Sequence, residues 1–422
     1  MFYVFHVDVN SAYLSWEAVY RLQQGDSLDL RTIPAVVGGS EADRHGIVLA
    51  KSIPAKKYGI HTGETLYGAR QKCPGLVVVP PRYELYIKCS EAMVAIMNQY
   101  VPLIQRYSID EAFLHYQLPP DMMPGQGAEA AAVAAARRLK TQIRQELGFT
   151  VNVGIGPNKL LAKMASEFQK PDQVHTLFRH EVPEKMWPLP VQELFFVGRA
   201  TARKLRGYNI FSIGQLAATD PKLIHCWLKK PGLLIWQYAN GLDDSRVTDE
   251  PMPVKSIGNS NTLSFDVTDR ATAHQILLAL CETTAMRLRK IRRCAQVISV
   301  TLRSSELITY RHQCRLTSPT DVTSLLWQES CRLFDNFWRK EPLRHMGVHL
   351  SDLCSNEYYQ LSLFHQHLEK HHQLDRTIDA LRLRFGTRAV FRGCFSHSPI
   401  QPLMGGVLQD QEAEYPMMVS YL

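Results

Sequence analysis

Features that would place a protein outside the cytoplasm are missing from this chain of 422 residues. Its nine cysteines include no CxxC pair, so neither a zinc site nor a disulfide framework is indicated, as is usual in a reducing compartment. No apolar run approaches the roughly 18 residues that span a bilayer. The N-terminal stretch MFYVFHVDVN lacks a basic region, and His6 and Asp8 interrupt its apolar residues, so it predicts a strand rather than a signal peptide. We therefore expect a cytoplasmic protein without a membrane partner.

The composition indicates a folded chain of several domains with a modest basic excess. Hydrophobic residues make up 45% and charged residues 21%, and the length predicts two to four domains. The formal net charge is +8. Between Arg287 and Arg315 stand eight lysines or arginines and one acid, Glu306. This run is compatible with nucleic-acid binding, and equally with a solvated helix face followed by edge strands.

Hydrophobic periodicity predicts a mixture of strands and helices in the first 170 residues. FYVFHVDVN is a strand that places His6 and Asp8 on one face. A helix follows, with Ser11 as its cap and Gly25 as its stop. Further strands are predicted in AVVGG, GIVLA, RYSIDEAFLHY and TVNVGIG, and helices in YELYIKCSEAMVAIMNQY, GAEAAAVAAARRLKTQIRQEL and NKLLAKMASEF.

The rest of the chain divides into four predicted regions. Residues 172–240 are mostly helical, and residues 241–254 are polar with two prolines, which is typical of a linker. Residues 255–354 form another α+β unit. Residues 355–422 are a tail with a helix from Leu374 to Phe385.

Three carboxylates stand in two apolar strands that we expect to pair in one core. Asp8 ends the first strand, and Asp110 and Glu111 lie within RYSIDEAFLHY. Taken singly, each is typical of a turn or a solvated surface, but together they would repel one another unless cations compensate. Mg²⁺ favours carboxylates with substrate phosphates, and two such ions about 3.5–4 Å apart can assist an in-line phosphoryl transfer. Because neighbours on a strand point to opposite faces, we predict a bend or bulge at residues 109–111.

Residues near these carboxylates suit a nucleoside triphosphate. Val9 could offer its carbonyl to a metal, and Ser11 and Ala12 could present backbone N–H groups to phosphates. Tyr13 would lie beside the sugar, or would be an ordinary core tyrosine. Four lysines could neutralise a triphosphate as point charges, or could be ordinary surface lysines; they are Lys51, Lys56, Lys57 and Lys170.

Two further stretches predict contacts with a nucleic-acid backbone. FFVGRATARKLRGYNIFSIGQLA has the pattern of a helix-hairpin-helix, whose turn amides can hold a phosphate, or of a plain amphipathic helix pair. Its candidate contacts are Gly198, Arg199, Arg203 and Lys204. In QVISVTLR and ITYRHQCR, alternation directs Ile298, Val300 and Leu302 inward. The outward, partly basic set is Ser299, Thr301, Arg303, Thr309, Arg311, Gln313 and Arg315, and its contacts would be salt-sensitive and sequence-blind.

Several of these motifs, in their order, closely resemble the Y-family translesion DNA polymerases. They are DVNSAYLSWEAV, KSIPAKKYGIHTGE, SIDEAFL, NVGIGPNKLLAKMASEFQKP, FVGRATARKL and KSIGNSNTL. The resemblance covers residues 3–353 and implies a right-hand fold of α+β domains. The implied palm is 1–19 with 81–171, the fingers 20–80, the helical thumb 172–240, and the little finger 255–354 after a linker at 241–254.

The resemblance also implies roles for individual residues. Asp8, Asp110 and Glu111 fall on the positions of the metal ligands, with the Val9 carbonyl, for two Mg²⁺ ions per active site. Tyr13 falls on the sugar-discriminating position, and two lysines fall on triphosphate positions, Lys56 and Lys170.

Some positions depart from the family pattern. Many members have Tyr where Ile53 stands and Arg where Lys56 stands, and Lys cannot form the two-pronged contact of Arg with a phosphate. His115 replaces a common Asp, a change that we expect to be structural.

YQLSLF, in the tail, resembles the peptide by which bacterial polymerases bind the sliding clamp. Gln360, Leu361, Leu363 and Phe364 would insert into a groove of that partner. The alternative is a small strand of the tail core.

The sequence therefore predicts a monomeric, distributive and error-prone DNA polymerase that extends primers past damaged template bases, with primer-template DNA, dNTP and the sliding clamp as partners. One alternative is an inactive relative that binds DNA and clamp. Another is a different two-metal palm enzyme such as a nucleotide cyclase, which would leave the DNA-binding features without a purpose.

Overall fold

The computed structural model describes residues 2–118, 126–250, 253–356 and 368–404. Contacts divide the chain into two units, one made of residues 1–38 and 48–251, the other of residues 39–47 and 252–422. In the described part of the chain, no helix is both long enough and apolar enough to cross a bilayer.

The first unit begins with mixed strands and helices and ends with helices. Its elements in chain order are β1 (Phe2–Val9), α1 (Ala12–Gln23), β2 (Ala35–Gly38), β3 (Val48–Lys51), α2 (Ile53–Lys57), α3 (Leu66–Lys72), β4 (Val77–Val79), α4 (Tyr83–Met97), β5 (Ile104–Arg106), β6 (Glu111–Gln117), α5 (Gln126–Leu147), β7 (Val151–Gly156), α6 (Lys159–Glu167), β8 (Val174–Thr176), α7 (Arg199–Gly207), α8 (Ile213–Ala218) and α9 (Pro221–Ala239).

The predicted N-terminal strand is the middle of a five-stranded sheet with the order β5-β6-β1-β7-β8. β1 pairs antiparallel with both β6 and β7. Its odd-numbered side chains, from Tyr3 to Val9, lie in a core with α4 and α5. On the opposite face, Val4 packs with Ala162 of α6. The alternation predicted for this strand is confirmed, and it directs His6 and Asp8 towards α6.

Two glycines of β7 allow α6 to pack directly on the sheet. A Cβ at Gly154 would lie 2.0 Å from the carbonyl oxygen of Ala162 and 2.3 Å from the backbone nitrogen of Ser166. A Cβ at Gly156 would lie 2.7 Å from the backbone nitrogen of Ala162. A residue with a Cβ would not fit between β7 and α6 at these two positions. The glycines therefore allow residues of α6 to reach β1.

A smaller three-stranded sheet follows, with the order β3-β2-β4. β2 pairs antiparallel with β3 and parallel with β4. The hydroxyl of Ser52 caps α2 by accepting the N–H of Ala55 at 3.0 Å. The two short strands predicted in this region, AVVGG and GIVLA, are confirmed.

The remainder of the first unit is mostly helical, as predicted, except that β8 joins the central sheet. Lys229, with φ of 58°, interrupts α9 just before Pro231. Residues 241–250 and 253–255 contain neither helix nor strand.

The second unit is an antiparallel sheet with the order β11-β10-β12-β9, packed against two long helices. Within this unit, Arg44 pairs with Asp266 at 2.5 Å. Its elements are β9 (Ser256–Val267), α10 (Arg270–Lys290), β10 (Arg293–Ser304), β11 (Thr309–Thr320), α11 (Thr323–Phe337), β12 (Leu343–Ser355) and α12 (Leu368–Phe385).

The helix predicted in the tail is longer than expected, because it begins at Leu368 rather than Leu374. It packs on the second unit through ion pairs: Arg289 contacts Asp379 at 2.6 Å, and Arg382 contacts Glu282 at 2.6 Å. Sequence periodicity underestimated α12 because its buried residues are largely charged rather than apolar.

Candidate active site

Strand pairing brings two of the predicted carboxylates together. Asp8 of β1 stands directly opposite Glu111 of β6 in the antiparallel register. Each side chain is 15% exposed, so both are largely shielded but still reachable from solvent. The predicted meeting of the first strand with the SIDEAFL motif is confirmed.

A bend precedes Glu111, as predicted. The backbone N–H groups of Tyr107 and Ser108 both donate to the carbonyl of Glu111, at 3.0 and 3.1 Å. Residues 108–110 therefore form a turn between β5 and β6. The strand predicted over RYSIDEAFLHY is divided by this bend, because β5 ends at Arg106 and β6 begins only at Glu111.

Asp110 lies next to this pair through its backbone. Its carbonyl accepts the N–H of Val9 at 3.0 Å, and its carboxylate accepts the hydroxyl of Ser108 at 2.6 Å. Among the described residues, the closest group of potential metal-binding atoms is formed by His6, Asp8 and Glu111, within 4.8 Å of one another. Asp110 is thus beside the tightest cluster rather than part of it.

Two lysines supply positive charge to the carboxylates. Lys163 of α6 forms an ion pair with Glu111 and lies 3.5 Å from Asp8. Lys170 contacts the other oxygen of Asp8 at 3.1 Å. Both lysines also contact Glu167, at 3.1 and 2.9 Å. The positive charge expected beside these acids is therefore supplied in part by the chain itself.

His6 lies behind the carboxylates and is completely buried. Its Nδ1 shares a 2.8 Å hydrogen bond with the hydroxyl of Ser166, on α6. Its Nε2 lies 3.0 Å from Oε2 of Glu111, although without the alignment of a good hydrogen bond. The imidazole therefore connects α6 to the acid of β6.

The acids differ in how well their charges are compensated. Burial raises the pKa of Asp8 in spite of the two lysines. Burial also raises the pKa of Asp110, and the charge of Glu111 adds to this effect. For Glu111, burial is outweighed by the contact with His6 and the charge of Lys163, which lower its pKa to about 2. The charges of Asp8 and Asp110 are therefore incompletely compensated, and a bound cation would stabilise their ionised forms.

This donor set fits a divalent cation. The carboxylate oxygens are hard ligands of the kind that Mg²⁺ prefers. The raised pKa values of Asp8 and Asp110 show that nearby cationic groups leave their charges incompletely compensated. Lys163 already places an ammonium group against Asp8 and Glu111, so this position attracts positive charge.

Tyr13 lies near the bend on the first turn of α1. Its ring stacks on Tyr86 at 4.5 Å, and burial, followed by the charge of Asp110, raises its pKa to about 12. Ser11 occupies the cap position of α1 with φ of 51°, and its side chain makes no capping hydrogen bond. The predicted side-chain cap is therefore wrong, because the chain passes through a left-handed residue between β1 and Ala12.

Of the other predicted phosphate contacts, Lys56 is exposed on α2. Its neighbour Lys51, on β3, has a pKa lowered by burial and by the charge of Lys56. Like-charged side chains thus lie close together here, whereas Lys170 is the lysine placed against the acids.

Sequence comparison identifies the family. The impB/mucB/samB family model matches residues 7–167, and the model of its C-terminal domain matches residues 254–363. The DNA polymerase IV of Clostridium acetobutylicum is 45% identical over 390 residues, covering 92% of this chain and 97% of the relative. The chain belongs to the impB/mucB/samB family.

Further relatives match over similar lengths. The protein named DNA polymerase IV 1 of Bacillus subtilis is 32% identical over 394 residues, covering 92% of each chain. A solved Y-family DNA polymerase chimera matches with a TM-score of 0.69 and 22% identity, covering 84% of this chain and all of the chimera. The Y-family resemblance and the predicted multidomain α+β polymerase fold are confirmed.

The family's helix-hairpin-helix model matches residues 179–210. The motif therefore begins before the stretch FFVGRATARKLRGYNIFSIGQLA, at short helical turns over Arg179–Glu181 and Val182–Met186, and ends after α7. Gly198 precedes the first residue of α7. All four predicted phosphate contacts are exposed, namely Gly198, Arg199, Arg203 and Lys204.

The basic sheet face of the second unit has the predicted geometry. Ile298, Val300 and Leu302 are buried, and Thr301 and Arg303 lie opposite Arg311 and Thr309 on the other face. Arg315 is also exposed.

One residue of this face departs from the prediction. Ser299 is buried rather than exposed, because the guanidinium of Arg311 covers it and donates to its hydroxyl at 2.6 Å. The clamp-like peptide, with Gln360, Leu361, Leu363 and Phe364, lies outside the described residues.

Sequence analysis missed three neighbours of the acids: His6, Lys163 and Ser166. The alternation of β1 already placed His6 beside Asp8, which was an available signal. Lys163 lies within α6, whereas Lys170 lies beyond the end of this helix at Glu167, so helical periodicity could not have related the two lysines. The contact of Ser166 depends on how closely α6 approaches β7, which no local pattern specifies.

Proposed function

We propose that this chain is a template-directed DNA polymerase of the translesion type, which adds deoxynucleotides to primers opposite damaged template bases during DNA repair. The proposal is supported by 45% identity to a DNA polymerase IV over nearly the whole chain. The observation that carries it is the meeting of Asp8, Glu111 and the turn at Asp110 beside two lysines.

Asp8, Asp110, Glu111 and the Val9 carbonyl would hold two Mg²⁺ ions. When bound, these ions would favour ionisation of the primer 3′-hydroxyl and stabilise the charge of the departing pyrophosphate. The residues of the chain contribute by fixing the acids: strand pairing holds Asp8 and Glu111, and the bend holds Asp110. The primer hydroxyl then attacks the α-phosphate of the dNTP, and no side-chain base is required.

The nucleotide would lie against the start of α1. Ser11 and Ala12 would offer backbone N–H groups to phosphates, and Tyr13 would exclude a 2′-hydroxyl from the sugar position. Lys170 already contacts Asp8, so it is suited to neutralise a phosphate bound beside that acid. Lys56 would contribute a second, more exposed charge.

Primer-template DNA would be held by sequence-blind contacts to its phosphates. Gly198, Arg199, Arg203 and Lys204 would bind through the helix-hairpin-helix, and Arg303, Arg311 and Arg315 through the exposed sheet face. We place the palm at 1–19 and 81–171, the fingers at 20–80, the thumb at 172–240, the linker at 241–254, and the little finger at 255–354.

We further propose a monomeric, cytoplasmic enzyme that binds the sliding clamp through Gln360, Leu361, Leu363 and Phe364. An extended peptide of this kind places apolar side chains in a groove of its partner. Clamp binding would offset distributive synthesis by keeping the enzyme near the primer. Small fingers would enclose the nascent pair loosely, which implies error-prone copying.

Primer extension by the wild type and Asp110→Ala, on undamaged templates and on templates with an abasic site, tests the proposal. We expect the wild type to extend both templates with Mg²⁺ and the variant to extend neither. Equal extension by both proteins would contradict the metal assignment. If the folded wild type extends no primer with Mg²⁺ and none with Mn²⁺, the alternative of an inactive relative that binds DNA and clamp would be favoured. Neither the names of the relatives nor the presence of all three acids supports that alternative.

A further inference from the structure

We propose that His6, supported by Ser166, is a positioning residue that fixes the carboxylate of Glu111 for cation binding. This inference rests on the proposed function, because it concerns the same acids. The three side chains come from different elements, β1, β6 and α6, and they meet only in the folded unit. His6 Nε2 and Glu111 Oε2 are 3.0 Å apart, and His6 Nδ1 and Ser166 Oγ are 2.8 Å apart.

The burial of the two side chains shows that the imidazole acts from behind the carboxylate. His6 is completely buried, whereas the side chain of Glu111 is 15% exposed. A cation arriving from solvent therefore meets the carboxylate before it meets the imidazole. This arrangement is that of a residue that orients a metal ligand rather than of a ligand itself.

His6 and Lys163 contact the same oxygen, Oε2 of Glu111, but they differ in how firmly they are held. The ammonium of Lys163 is a point charge at the end of a flexible chain, and an arriving divalent cation would compete with it. The imidazole of His6 is fixed by the sheet, by Phe113 at a ring separation of 4.6 Å, and by Ser166. The contact with His6 would consequently persist when the lysine is displaced.

Ser166 gives the imidazole its orientation. Its hydroxyl has one proton, which can go to the carbonyl of Lys163 at 2.8 Å or to Nδ1 of His6. When Ser166 donates to Nδ1, a neutral imidazole carries its proton on Nε2, the atom that faces Glu111. The approach of α6 over Gly154 brings Ser166 within reach.

Mn²⁺ binding to the full-length protein without DNA or nucleotide tests this role, with free Mn²⁺ followed by electron paramagnetic resonance. We expect His6→Leu to bind Mn²⁺ about 10- to 100-fold more weakly than the wild type, the range typical for residues that orient metal ligands. His6→Gln, whose amide can still donate to Glu111, should bind with intermediate affinity. Ser166→Ala should weaken binding less than His6→Leu.

The matched control is His115→Leu. This variant removes an imidazole of the same sheet that packs against the ring of Phe2 at 4.3 Å instead of contacting the acids. Its Mn²⁺ affinity should equal that of the wild type. Wild-type affinity in folded His6→Leu would overturn the proposal, as would direct coupling of an imidazole nitrogen to bound Mn²⁺, which would make His6 a ligand. If His6→Leu does not fold, wild-type affinity in Ser166→Ala would overturn it.

Primer extension by the wild type separates this inference from the proposed function. A wild type that binds Mn²⁺ in the expected His6-dependent way but extends no primer would contradict the polymerase proposal alone. A wild type that extends primers while His6→Leu keeps full Mn²⁺ affinity would contradict the positioning role alone. In the active enzyme, raising Mg²⁺ should restore much of the kcat of His6→Leu and leave its KM for dNTP near the wild-type value.

Discussion

The buried acids that hold α12 in the second unit and the acids of the candidate active site in the first unit have different charge partners. In the second unit, the two oxygens of Glu282 each accept from an arginine, Arg382 at 2.6 Å and Arg392 at 2.5 Å. Arg289 likewise contacts both oxygens of Asp379, at 2.6 and 2.9 Å. In the first unit, Asp8 and Glu111 contact lysines instead. Arginine forms a rigid, two-pronged pair, whereas lysine provides a mobile point charge.

The pKa values of two acids, Asp321 and Asp8, differ in the same way between the α12 contacts and the candidate active site. Asp321, in the second unit, has a pKa that is lowered, because His372 and Asn356 outweigh its burial. Asp8, in the first unit, has a pKa that is raised by burial in spite of its lysines. Full compensation characterises the acids that hold α12 in place. Incomplete charge compensation characterises Asp8 and Asp110, two of the three acids proposed to bind a cation.

The largest expected effect concerns activity at an incompletely compensated acid. Asp8→Asn should lower the rate of nucleotide insertion by about 1000-fold, because Asp8 would help to hold a cation that stabilises the negative charge of the transition state. A carboxyl whose pKa is raised on folding destabilises the fold when it is ionised. The unfolding free energy of the metal-free variant at pH 7 should therefore equal or exceed that of the wild type, as measured by urea unfolding. Marked destabilisation would show that Asp8 is a structural acid.

The opposite result is expected for a fully compensated acid. Glu282→Gln leaves Arg382, which is 4% exposed, without its charge partner, and it should destabilise the second unit by about 3–5 kcal/mol. Urea unfolding measures this loss. Glu329→Gln is the matched control, since it removes an exposed pair with Arg332 and should cost less than about 1 kcal/mol. Equal losses in the two variants would remove the distinction between the buried and exposed pairs.

Much of this arrangement could be predicted from the sequence. The alternation of β1, the bend before Glu111 and the family motifs were enough to place Asp8 beside the SIDEAFL segment. Contacts that depend on packing between elements could not be predicted. Lys163 meets Glu111 only because α6 approaches β7 at Gly154, and α12 is stabilised by charges on its buried face. Local periodicity assumes that buried faces are apolar, so it fails where buried faces carry ion pairs.

The pH dependence of stability should identify Glu111 as the compensated member of the three proposed ligands Asp8, Asp110 and Glu111. Its pKa is lowered on folding from an ordinary value of 4.5 to about 2. Its ionised form therefore stabilises the fold above pH 4.5, and this contribution is lost as the pH falls from 4.5 towards 2. At pH 7, the free energy of unfolding of the metal-free wild type should exceed that of Glu111→Gln by about 3 kcal/mol at most. Urea unfolding at pH 7 and pH 3.5 should show this difference shrinking, and a difference independent of pH would contradict it.

The smallest expected effect tests whether Lys163 is an exchangeable counter-ion. Lys163→Gln removes the ammonium that contacts Glu111 and Asp8, so the metal-free protein should be destabilised by about 2 kcal/mol in urea unfolding. A bound divalent cation also supplies positive charge at this position, so saturating Mn²⁺ should restore most of the lost stability. Mn²⁺ should also bind the variant more tightly than it binds the wild type. Lys140→Gln is the matched control, because that lysine pairs with Asp172 at 3.0 Å instead of with the proposed ligands. Its stability loss should remain at every Mn²⁺ concentration. Equal rescue of both variants would show that Mn²⁺ stabilises the fold without replacing Lys163.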